Sequence, residues 1–418
     1  MFNKIYNKYL PLLILIQPLF DCITSIMVHF NYNVTLGVIL KVLILFLSVL
    51  YLLFFDKSNR KINIIMLSIL FIFSIMNIIC NKDIIELKLF EYTNYLFKYL
   101  YLVIMLYFFL RWTKNNENLN LSKLRIPMAI ISIIFIAAFL TNTSFNSYSN
   151  NRRGICGWFN SANELGALVS LLYPISIYNA FHNSDKKKID IVLFIMCSIM
   201  LILIGTKACF LSFILILLSY IIYRLLTLKK HKFNYQIVLV LLILVFPFFF
   251  FKEIPAVYNT KMKMEAKKIE KLNKESASTI ILSGRDKFQK KVEDNRQNID
   301  ILSEFFGKSY LKKNGAILIV ERDPLDIRYM YGIIGISIFI ILLINIYYKV
   351  IKFFFKNFLN NFYDISIVMC LISISLTLVI SYISGHVLLS PSVSTYLIFL
   401  ISYLYKVCNR ENCYQIEE

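Results

Sequence analysis

Long apolar runs alternate with short polar segments along most of the chain, and most of the runs are long enough for a helix that crosses a bilayer. Residues 252–330 break this pattern, because they carry mixed charges, helix-forming residues and a turn-rich end, so they are expected to fold in water. The pattern predicts an all-α polytopic membrane protein with about 12 transmembrane helices and one large, helical polar loop. The expected spans are Leu10–Phe30, Leu36–Phe55, Ile62–Ile79, Leu96–Leu110, Ile126–Leu140, Ala162–Phe181, Ile189–Ile204, Ala208–Tyr223, Tyr235–Phe251, Tyr331–Tyr347, Tyr363–Ile383 and Val393–Tyr405.

These spans divide the chain into four parts. The first nine predicted spans occupy residues 1–251, and the polar insert forms a loop domain at residues 252–330. The last three predicted spans lie in residues 331–405, and residues 406–418 form a tail.

Composition and charge agree with a membrane protein and set its orientation. Hydrophobic residues make up 58% of the chain and charged residues 17%, more apolar surface than a soluble domain can bury. The net charge of +20 would suggest nucleic acid in a soluble protein, but the basic residues concentrate in alternate short loops and near both ends. We therefore expect no nucleic-acid partner, a location in the cell membrane with both termini cytoplasmic, and an extracytoplasmic insert. The first span has no small-residue cleavage site and is expected to be retained.

Three charged residues fall inside predicted spans. Asp21, Lys41 and Lys98 would each cost about 2.5–3.5 kcal/mol at a helix centre facing lipid. They are therefore expected either to line a polar cavity or to pair with one another.

Cationic residues collect in three predicted outer segments. Arg152 and Arg153 precede Gly154 in the loop before the sixth span. Lys207 lies in a very short turn between the seventh and eighth spans, and Arg285 opens a predicted helix. Guanidinium groups bind phosphate oxygens in pairs and can stabilise the charge on a departing diphosphate. These four residues are candidate diphosphate ligands; the alternative is that they contact lipid headgroups or water.

The predicted helix that begins at Arg285 has an apolar side. Its apolar residues recur near multiples of the helical period, at Phe288, Val292, Ile299, Leu302 and Phe306. One helix over this stretch is predicted, either lying flat on the membrane or capping a cleft.

Acidic and imidazole side chains provide candidate bases. Glu321 and Asp323 precede the tenth span, and His386 follows the eleventh. A carboxylate or imidazole at the outer face can accept the proton of an attacking sugar hydroxyl. The sequence leaves the choice among Glu321, Asp323 and His386 open, and the alternative is that the acceptor hydroxyl is positioned without a dedicated base from these residues. The eight cysteines have no metal-ligand spacing and no nucleotide fingerprint is present, so no metal and no cofactor is expected, with a divalent-cation requirement left open.

The order of these features resembles the O-antigen ligase and Wzy-type polysaccharide polymerase family. In that family an Arg-Gly loop with an Asn-x-x-Asn pattern, a Gly-Thr-Arg turn, a Ser-Gly-Arg helix start, a glycine turn and a Gly-Ile-Ile-Gly segment follow one another. The corresponding positions are Arg153-Gly154, Asn160–Asn163, Gly205–Lys207 with lysine in place of the family's arginine, Ser283–Arg285, Phe306–Tyr310 and Gly332–Gly335. The family's His-Asn pair is replaced by Glu321–Asp326, so either a carboxylate or His386 takes its place.

The resemblance implies a GT-C-like membrane glycosyltransferase. Its donor would be a saccharide on undecaprenyl diphosphate, its acceptor a second saccharide, and its reaction polymerisation or ligation at the outer leaflet. The implied partners are the lipid bilayer, these lipid-linked saccharides and other membrane proteins of polysaccharide assembly.

Two other classes of function compete with this interpretation. A transporter or flippase of lipid-linked saccharide also fits many spans and a cationic cavity, but it predicts internal repeats and cations at mid-depth. A structural scaffold leaves the outer cluster of charges unexplained.

Overall fold

The computed structural model describes residues 2–32, 35–113, 120–148, 152–182, 186–227, 235–269, 284–356 and 358–414. Regular structure in these ranges is helical, and two isolated backbone bridges do not extend into strands. The α-helices are α1 Phe2–Leu15, α2 Gln17–His29, α3 Leu36–Leu50, α4 Arg60–Cys80, α5 Lys82–Trp112, α6 Arg125–Leu140, α7 Ala162–His182, α8 Lys187–Leu203, α9 Lys207–Leu226, α10 Tyr235–Val245, α11 Pro255–Ile269, α12 Arg285–Asn295, α13 Ile301–Phe306, α14 Asp323–Lys356, α15 Phe358–Tyr363, α16 Ile365–Ser384 and α17 Pro391–Tyr414. Short π- or 3-10 helical turns occupy Tyr51–Phe55, Lys57–Asn59, Leu121–Leu124 and Phe246–Glu253.

The all-α polytopic class is confirmed, and each predicted span overlaps a helix of the described chain. Within the described ranges, 10 helical stretches are long and apolar enough to cross a membrane. The pair α1–α2, bent by 48°, makes 11 if it counts as one span. The remaining predicted span, Ile189–Ile204, corresponds to α8, which has 17 residues and is about 26 Å long. A helix of 17 residues is at the short end of the range that crosses a bilayer, and α8 ends at the same face at which α7 begins, where the N–H of Ile155 donates to the carbonyl of Leu203 at 3.1 Å.

Helix α7 forms the centre of the bundle. It packs against α8, α9, α16 and α17, and it is the most buried of the membrane-spanning stretches in the described chain. Its mean hydropathy is among the lowest of these stretches because it carries small and polar residues such as Ser170, Ser176 and Asn179, all buried. Small and polar side chains let helices approach closely in a membrane, so α7 faces protein while more apolar helices face lipid.

An ion pair joins three helices inside the bundle. Asp21 of α2 lies 2.7 Å from the ammonium of Lys41 on α3, which also donates to the hydroxyl of Ser392 on α17 at 3.0 Å. Lys98 lies over the ring of Tyr95 at 5.2 Å. The charges of Asp21 and Lys41 therefore compensate each other, which is one of the two arrangements expected from the sequence.

The polar insert packs on the end of α4. Asn77 donates to the carbonyls of Phe306 and Met330, at 2.6 and 2.9 Å. Asn81 accepts from the backbone N–H of Ser309 at 2.7 Å. We call the end of the bundle that carries residues 255–269 and 284–322 the insert face.

The stretch from Arg285 to Phe306 contains two helices where the sequence predicted one. Helix α12 ends at Asn295, and α13 begins at Ile301 after Asp300 caps it by accepting from the backbone N–H of Ser303 at 3.0 Å. The prediction of one helix through Phe306 is therefore wrong, because an aspartate in extended conformation starts a new helix.

An arginine pair fixes α13 against the start of α14. The carboxylate of Glu304 pairs with Arg296 and with Arg328. The hydrogen bond from Arg328 holds the pKa of Glu304 below its usual value. This cluster ties α12 and α13 to α14, which spans the membrane.

Candidate functional site

A cavity of about 470 Å³ opens at the insert face among α9, α11 and α16. Four of the seven residues predicted from the sequence line it: Arg152, Lys207, Arg285 and Glu321. The other lining residues that carry polar side chains are Tyr148, Asn163, Thr206, Ser212, Asn259, Thr260, Lys263 and Ser384. The four predicted residues come from separate segments of the chain and thus meet in one place.

The deeper walls of this cavity are apolar. Helix α9 contributes Leu211 and Leu215, and α16 contributes Leu376, Val379, Ile380 and Ile383. Cations therefore surround the end at the insert face, while aliphatic side chains line the part between the membrane helices. Such a cavity suits an amphipathic molecule with an anionic head and an apolar chain.

Two glycines bring the Arg152 loop onto the start of α9. A Cβ at Gly205, where φ is +78°, would lie 2.8 Å from the carbonyl oxygen of Arg153 and 3.1 Å from the Cα of Gly154. A Cβ at Gly154, where φ is +134°, would lie 2.6 Å from the carbonyl of Ile204. Both positions combine a left-handed backbone with close contact, which only glycine accommodates. The Arg-Gly and Gly-Thr motifs are therefore two halves of one junction.

Asn259 of α11 forms hydrogen bonds with both sides of the same junction, and the sequence analysis did not identify this residue. Its side-chain oxygen accepts from the N–H of Arg153 at 2.8 Å. Its amide nitrogen donates to the carbonyls of Arg153 and Gly205, at 2.6 and 3.3 Å. A single asparagine in a helix gives no periodic or motif signal, so the contact is visible only in the fold.

The N-terminus of α9, which is the positive end of its helix dipole, lies at the cavity. Thr206 caps this helix by accepting from the backbone N–H of Cys209 at 3.2 Å. Lys207 is the first helical residue, a position where a cation is disfavoured by the dipole. The same dipole and the same ammonium both favour a bound anion, which would offset that cost.

Arg285 and Glu321 meet through two contacts. The Nε of Arg285 donates to the carbonyl of Glu321 at 3.0 Å, and its Nη2 lies 3.1 Å from the carboxylate. Glu321 has a left-handed backbone, with φ at 61°. Asp326 fixes this conformation by accepting from the N–H groups of Val320 and Arg322 at 2.7 and 3.0 Å. A strained non-glycine residue held in place this firmly is typical of a functional position.

Asp323 lies outside the cavity, and its carboxylate is fully engaged. It accepts from the backbone N–H groups of His386, Val387 and Leu388, at 3.0, 2.8 and 2.8 Å. The hydroxyl of Ser381 donates to it at 2.9 Å. Asp323 is buried, and the His386 ring does not line the cavity either. Of the three candidate bases, Glu321 therefore lines the cavity, whereas Asp323 and His386 do not.

Arg153 also faces away from the cavity. Its guanidinium pairs with Glu253 and lies over the ring of Tyr258 at 4.1 Å. Its neighbour Arg152 lies over the ring of Tyr148, 5.6 Å from the centroid. Of the two adjacent arginines, only Arg152 reaches the cavity.

Tyr148 adds a hydroxyl to the cavity that the sequence analysis did not single out. Burial raises the pKa of Tyr148, while the nearby Arg152 lowers it. The phenol therefore stays protonated near neutral pH and can donate a hydrogen bond to a bound anion.

Groups of three or more metal-ligating side chains are absent from the part of the chain that the structure describes.

Comparison with known proteins identifies a family. The family model described as O-antigen ligase like membrane protein matches residues 3–270 and 251–410. Comparisons with curated proteins and with solved structures give no match. The matched segments together span nearly the whole chain, in agreement with the resemblance seen in its motifs. The chain therefore belongs to the O-antigen ligase-like membrane protein family, and it is a multi-pass membrane enzyme of the glycosyltransferase type in polysaccharide assembly.

Proposed function

We propose that this protein transfers a saccharide from an undecaprenyl-diphosphate-linked donor to the hydroxyl of an acceptor saccharide, extending a surface polysaccharide. The observation that carries this proposal is the amphipathic cavity, in which Arg152, Lys207 and Arg285 surround the polar end above an apolar wall. A lipid diphosphate has the complementary distribution of charge and apolar surface.

Departure of the lipid diphosphate is the step that the cations assist. As the bond between the anomeric carbon and the diphosphate oxygen breaks, negative charge grows on that oxygen. Fixed cations in a site shielded from water stabilise this charge, and one such group is commonly worth about 10²–10³ in rate. Lys207 adds the helix dipole of α9 to its own charge.

Glu321 is proposed as the base. The acceptor hydroxyl attacks the anomeric carbon, and its proton passes to the carboxylate of Glu321 while the new glycosidic bond forms. Arg285 holds that carboxylate 3.1 Å from its own guanidinium and orients it toward the cavity. In this scheme Asp323 and His386 hold the loop between α16 and α17 and do not contact substrate.

The insert face is proposed to lie at the outer leaflet. The concentration of basic residues in the loops at the opposite end supports this orientation, with both termini cytoplasmic. Lipid-linked saccharides would then enter the cavity from the outer half of the bilayer.

The position of the cations favours transfer over transport. Lys207 begins α9, and Arg152 and Arg285 lie in segments outside the membrane-spanning stretches. A flippase needs its polar site near mid-depth, where alternating access can expose it to both sides. The cavity's cations lie at one end of the helices instead.

Turnover by purified protein tests the proposal, with lipid-linked repeat units as the only substrate. We expect the wild type to release undecaprenyl diphosphate and extend saccharide chains, and Lys207→Met and Arg285→Met to lower the rate by about 10²–10³. Arg153→Met is the matched control, because that arginine is outside the cavity, and it should stay within a few-fold of wild type. Absence of any transfer by the wild type, or equal rates for all three variants, would refute the proposal.

A second pair of variants separates the candidate bases. Glu321→Gln should lower turnover at least a hundredfold, while His386→Asn, which tolerates the left-handed backbone at φ of 63°, should retain it. Loss of turnover in His386→Asn alone, in folded protein, would transfer the role of base to His386.

A further inference from the structure

Arg322 connects three parts of the insert face, and the proposed function does not use it. The residue is buried, with 6% of its surface exposed. Its Nε donates to the carbonyl of Tyr382 on α16 at 2.9 Å, and its Nη1 donates to the side-chain oxygen of Gln289 on α12 at 2.9 Å. The guanidinium also lies over the ring of Tyr382, 4.3 Å from the centroid. One side chain thus links α12, α16 and the turn that carries Glu321.

The backbone of Glu321 and Arg322 is fixed at the same place. The N–H of Arg322 donates to the carboxylate of Asp326 at 3.0 Å. A Cβ at Gly385, where φ is +64°, would lie 2.7 Å from the carbonyl oxygen of Glu321 and 3.3 Å from the nitrogen of Arg322. The two residues are therefore held against the end of α16 as one unit.

Helix α12 contacts this unit at two successive turns. Arg285 and Gln289 are four residues apart, so they lie on the same side of α12. Arg285 contacts Glu321, and Gln289 contacts the next residue of the chain, Arg322. The hydrogen bond between Gln289 and Arg322 therefore fixes α12 one turn away from the arginine that pairs with the Glu321 carboxylate.

The apolar contacts of α12 lie farther along the helix. Its buried apolar residue is Val292, which packs with Leu318 and Val320. Val292 comes seven residues after Arg285, which corresponds to about 10 Å along the helix axis. The contact with Arg322 is closer to Arg285 than this apolar cluster, so it has the greater influence on where the start of α12 lies.

The charge of Arg322 indicates a role beyond stability. Its guanidinium has two neutral oxygen atoms and an aromatic ring as partners, and an ion pair with a carboxylate is absent among the residues that the structure describes. A buried charge without an opposite charge is unfavourable for folding. The planar guanidinium instead provides geometry, because it donates in two directions and stacks on a ring at the same time, which lysine and glutamine do not.

We propose that Arg322 is a positioning residue for the transfer reaction, and that it sets the placement of Glu321 relative to Arg285 and to the α16 wall of the cavity. This inference rests on the proposed function and deepens it with a residue that does not contact substrate. A displacement of about 1 Å in a reacting group costs about 10² in rate. The loss should appear in kcat, because Arg152 and Lys207, the other two diphosphate ligands of the proposed function, lie on segments that Arg322 does not join.

Steady-state kinetics of purified, folded variants test the inference with a lipid-linked donor. Arg322→Lys keeps the charge but not the planar fork. It should lower kcat about 10–100-fold, while the KM for the donor and the Kd for farnesyl diphosphate stay within threefold of wild type. Gln289→Ala should lower kcat about tenfold, and Gln289→Glu, which restores an acceptor oxygen, should recover kcat to within threefold of wild type. Combining Arg322→Lys with Gln289→Ala should lower kcat no further than Arg322→Lys alone, because both changes remove the same contact.

Arg328→Lys is the matched control. Arg328 also anchors the insert, but its partner is the carboxylate of Glu304. Arg328→Lys should lower stability and leave kcat per folded molecule within threefold of wild type. The inference would be overturned by wild-type kcat in Arg322→Lys, by equal kcat in Gln289→Ala and Gln289→Glu, or by a loss of donor affinity with unchanged kcat.

Hydrogen exchange separates this inference from the proposed function. Arg322→Lys should increase exchange in the first two turns of α12 more than Arg328→Lys does, whether or not the protein transfers saccharide. Unchanged exchange in these turns would overturn the inference and leave the proposed function standing. Absence of transfer by the wild type would refute the proposed function, and the exchange result would then still decide whether Arg322 places α12.

Discussion

Asp323 is predicted to stabilise the site and to take no part in proton transfer. Its buried carboxylate accepts three backbone N–H groups, from His386, Val387 and Leu388, and one hydroxyl. In Asp323→Ala these N–H groups lose their partner, and each unpaired buried donor costs about 1–3 kcal/mol. The variant should therefore lose about 3–9 kcal/mol of stability. Water that enters the space and accepts these hydrogen bonds would reduce the loss. Asp323→Asn keeps one acceptor oxygen and should lose about 1–3 kcal/mol.

Unfolding of the purified protein by SDS in mixed micelles measures this effect, with turnover per folded molecule measured in parallel. The order wild type, Asp323→Asn, Asp323→Ala is expected in stability, while folded Asp323→Asn should keep at least a tenth of the wild-type turnover. If Asp323→Asn is as stable as wild type and yet inactive, the carboxylate acts in catalysis and the structural assignment is wrong.

Three further predictions concern other parts of the fold. Gly205→Ala should lower both stability and turnover, because its Cβ would meet backbone 2.8 Å away, whereas Gly284→Ala, with nothing within 4 Å, should cost only the left-handed strain of about 1–2 kcal/mol. The ion pairs of Glu304, whose pKa is lowered, should stabilise the insert at pH values above 4.5, the usual pKa of a glutamate, and should lose this effect as the pH falls below that value. Hydrogen exchange in the insert should therefore increase at low pH, and Glu304→Gln should remove this pH dependence. Lys41→Met should destabilise the bundle by about 3–5 kcal/mol in SDS unfolding by leaving Asp21 unpaired, and adding Asp21→Asn should restore most of that loss.

The sequence predicted the membrane class because hydrophobic length is a local property. A run of apolar residues crosses a bilayer whatever its neighbours do, so every expected span has a helical counterpart. Helix α8, which corresponds to the predicted span Ile189–Ile204, has 17 residues and begins with charged side chains, so its apolar length is at the short end of the range for a span.

The grouping of site residues was predictable in part. Topology placed Arg152, Lys207, Arg285 and Glu321 on one side of the membrane, and the structure brings them to one cavity. The sequence did not predict the directions of the side chains. The adjacent residues Arg152 and Arg153 contact different partners, Tyr148 and Glu253.

Tertiary hydrogen bonds account for what the sequence left open. Glu321 and Asp323 are two residues apart, but a turn fixed by Asp326 turns one to the cavity and the other to the α16–α17 loop. Asn259 likewise acts through partners more than fifty residues away in the chain. Such contacts depend on the packing of distant segments, so no local pattern encodes them.

A cryo-electron microscopy structure of the protein with a bound isoprenyl diphosphate tests the central claim most directly. The account predicts that the diphosphate lies among Arg152, Lys207 and Arg285, with the isoprenyl chain along the apolar faces of α9 and α16. A diphosphate bound at the opposite end of the bundle, or at the insert face without contact to any of these three side chains, would contradict it.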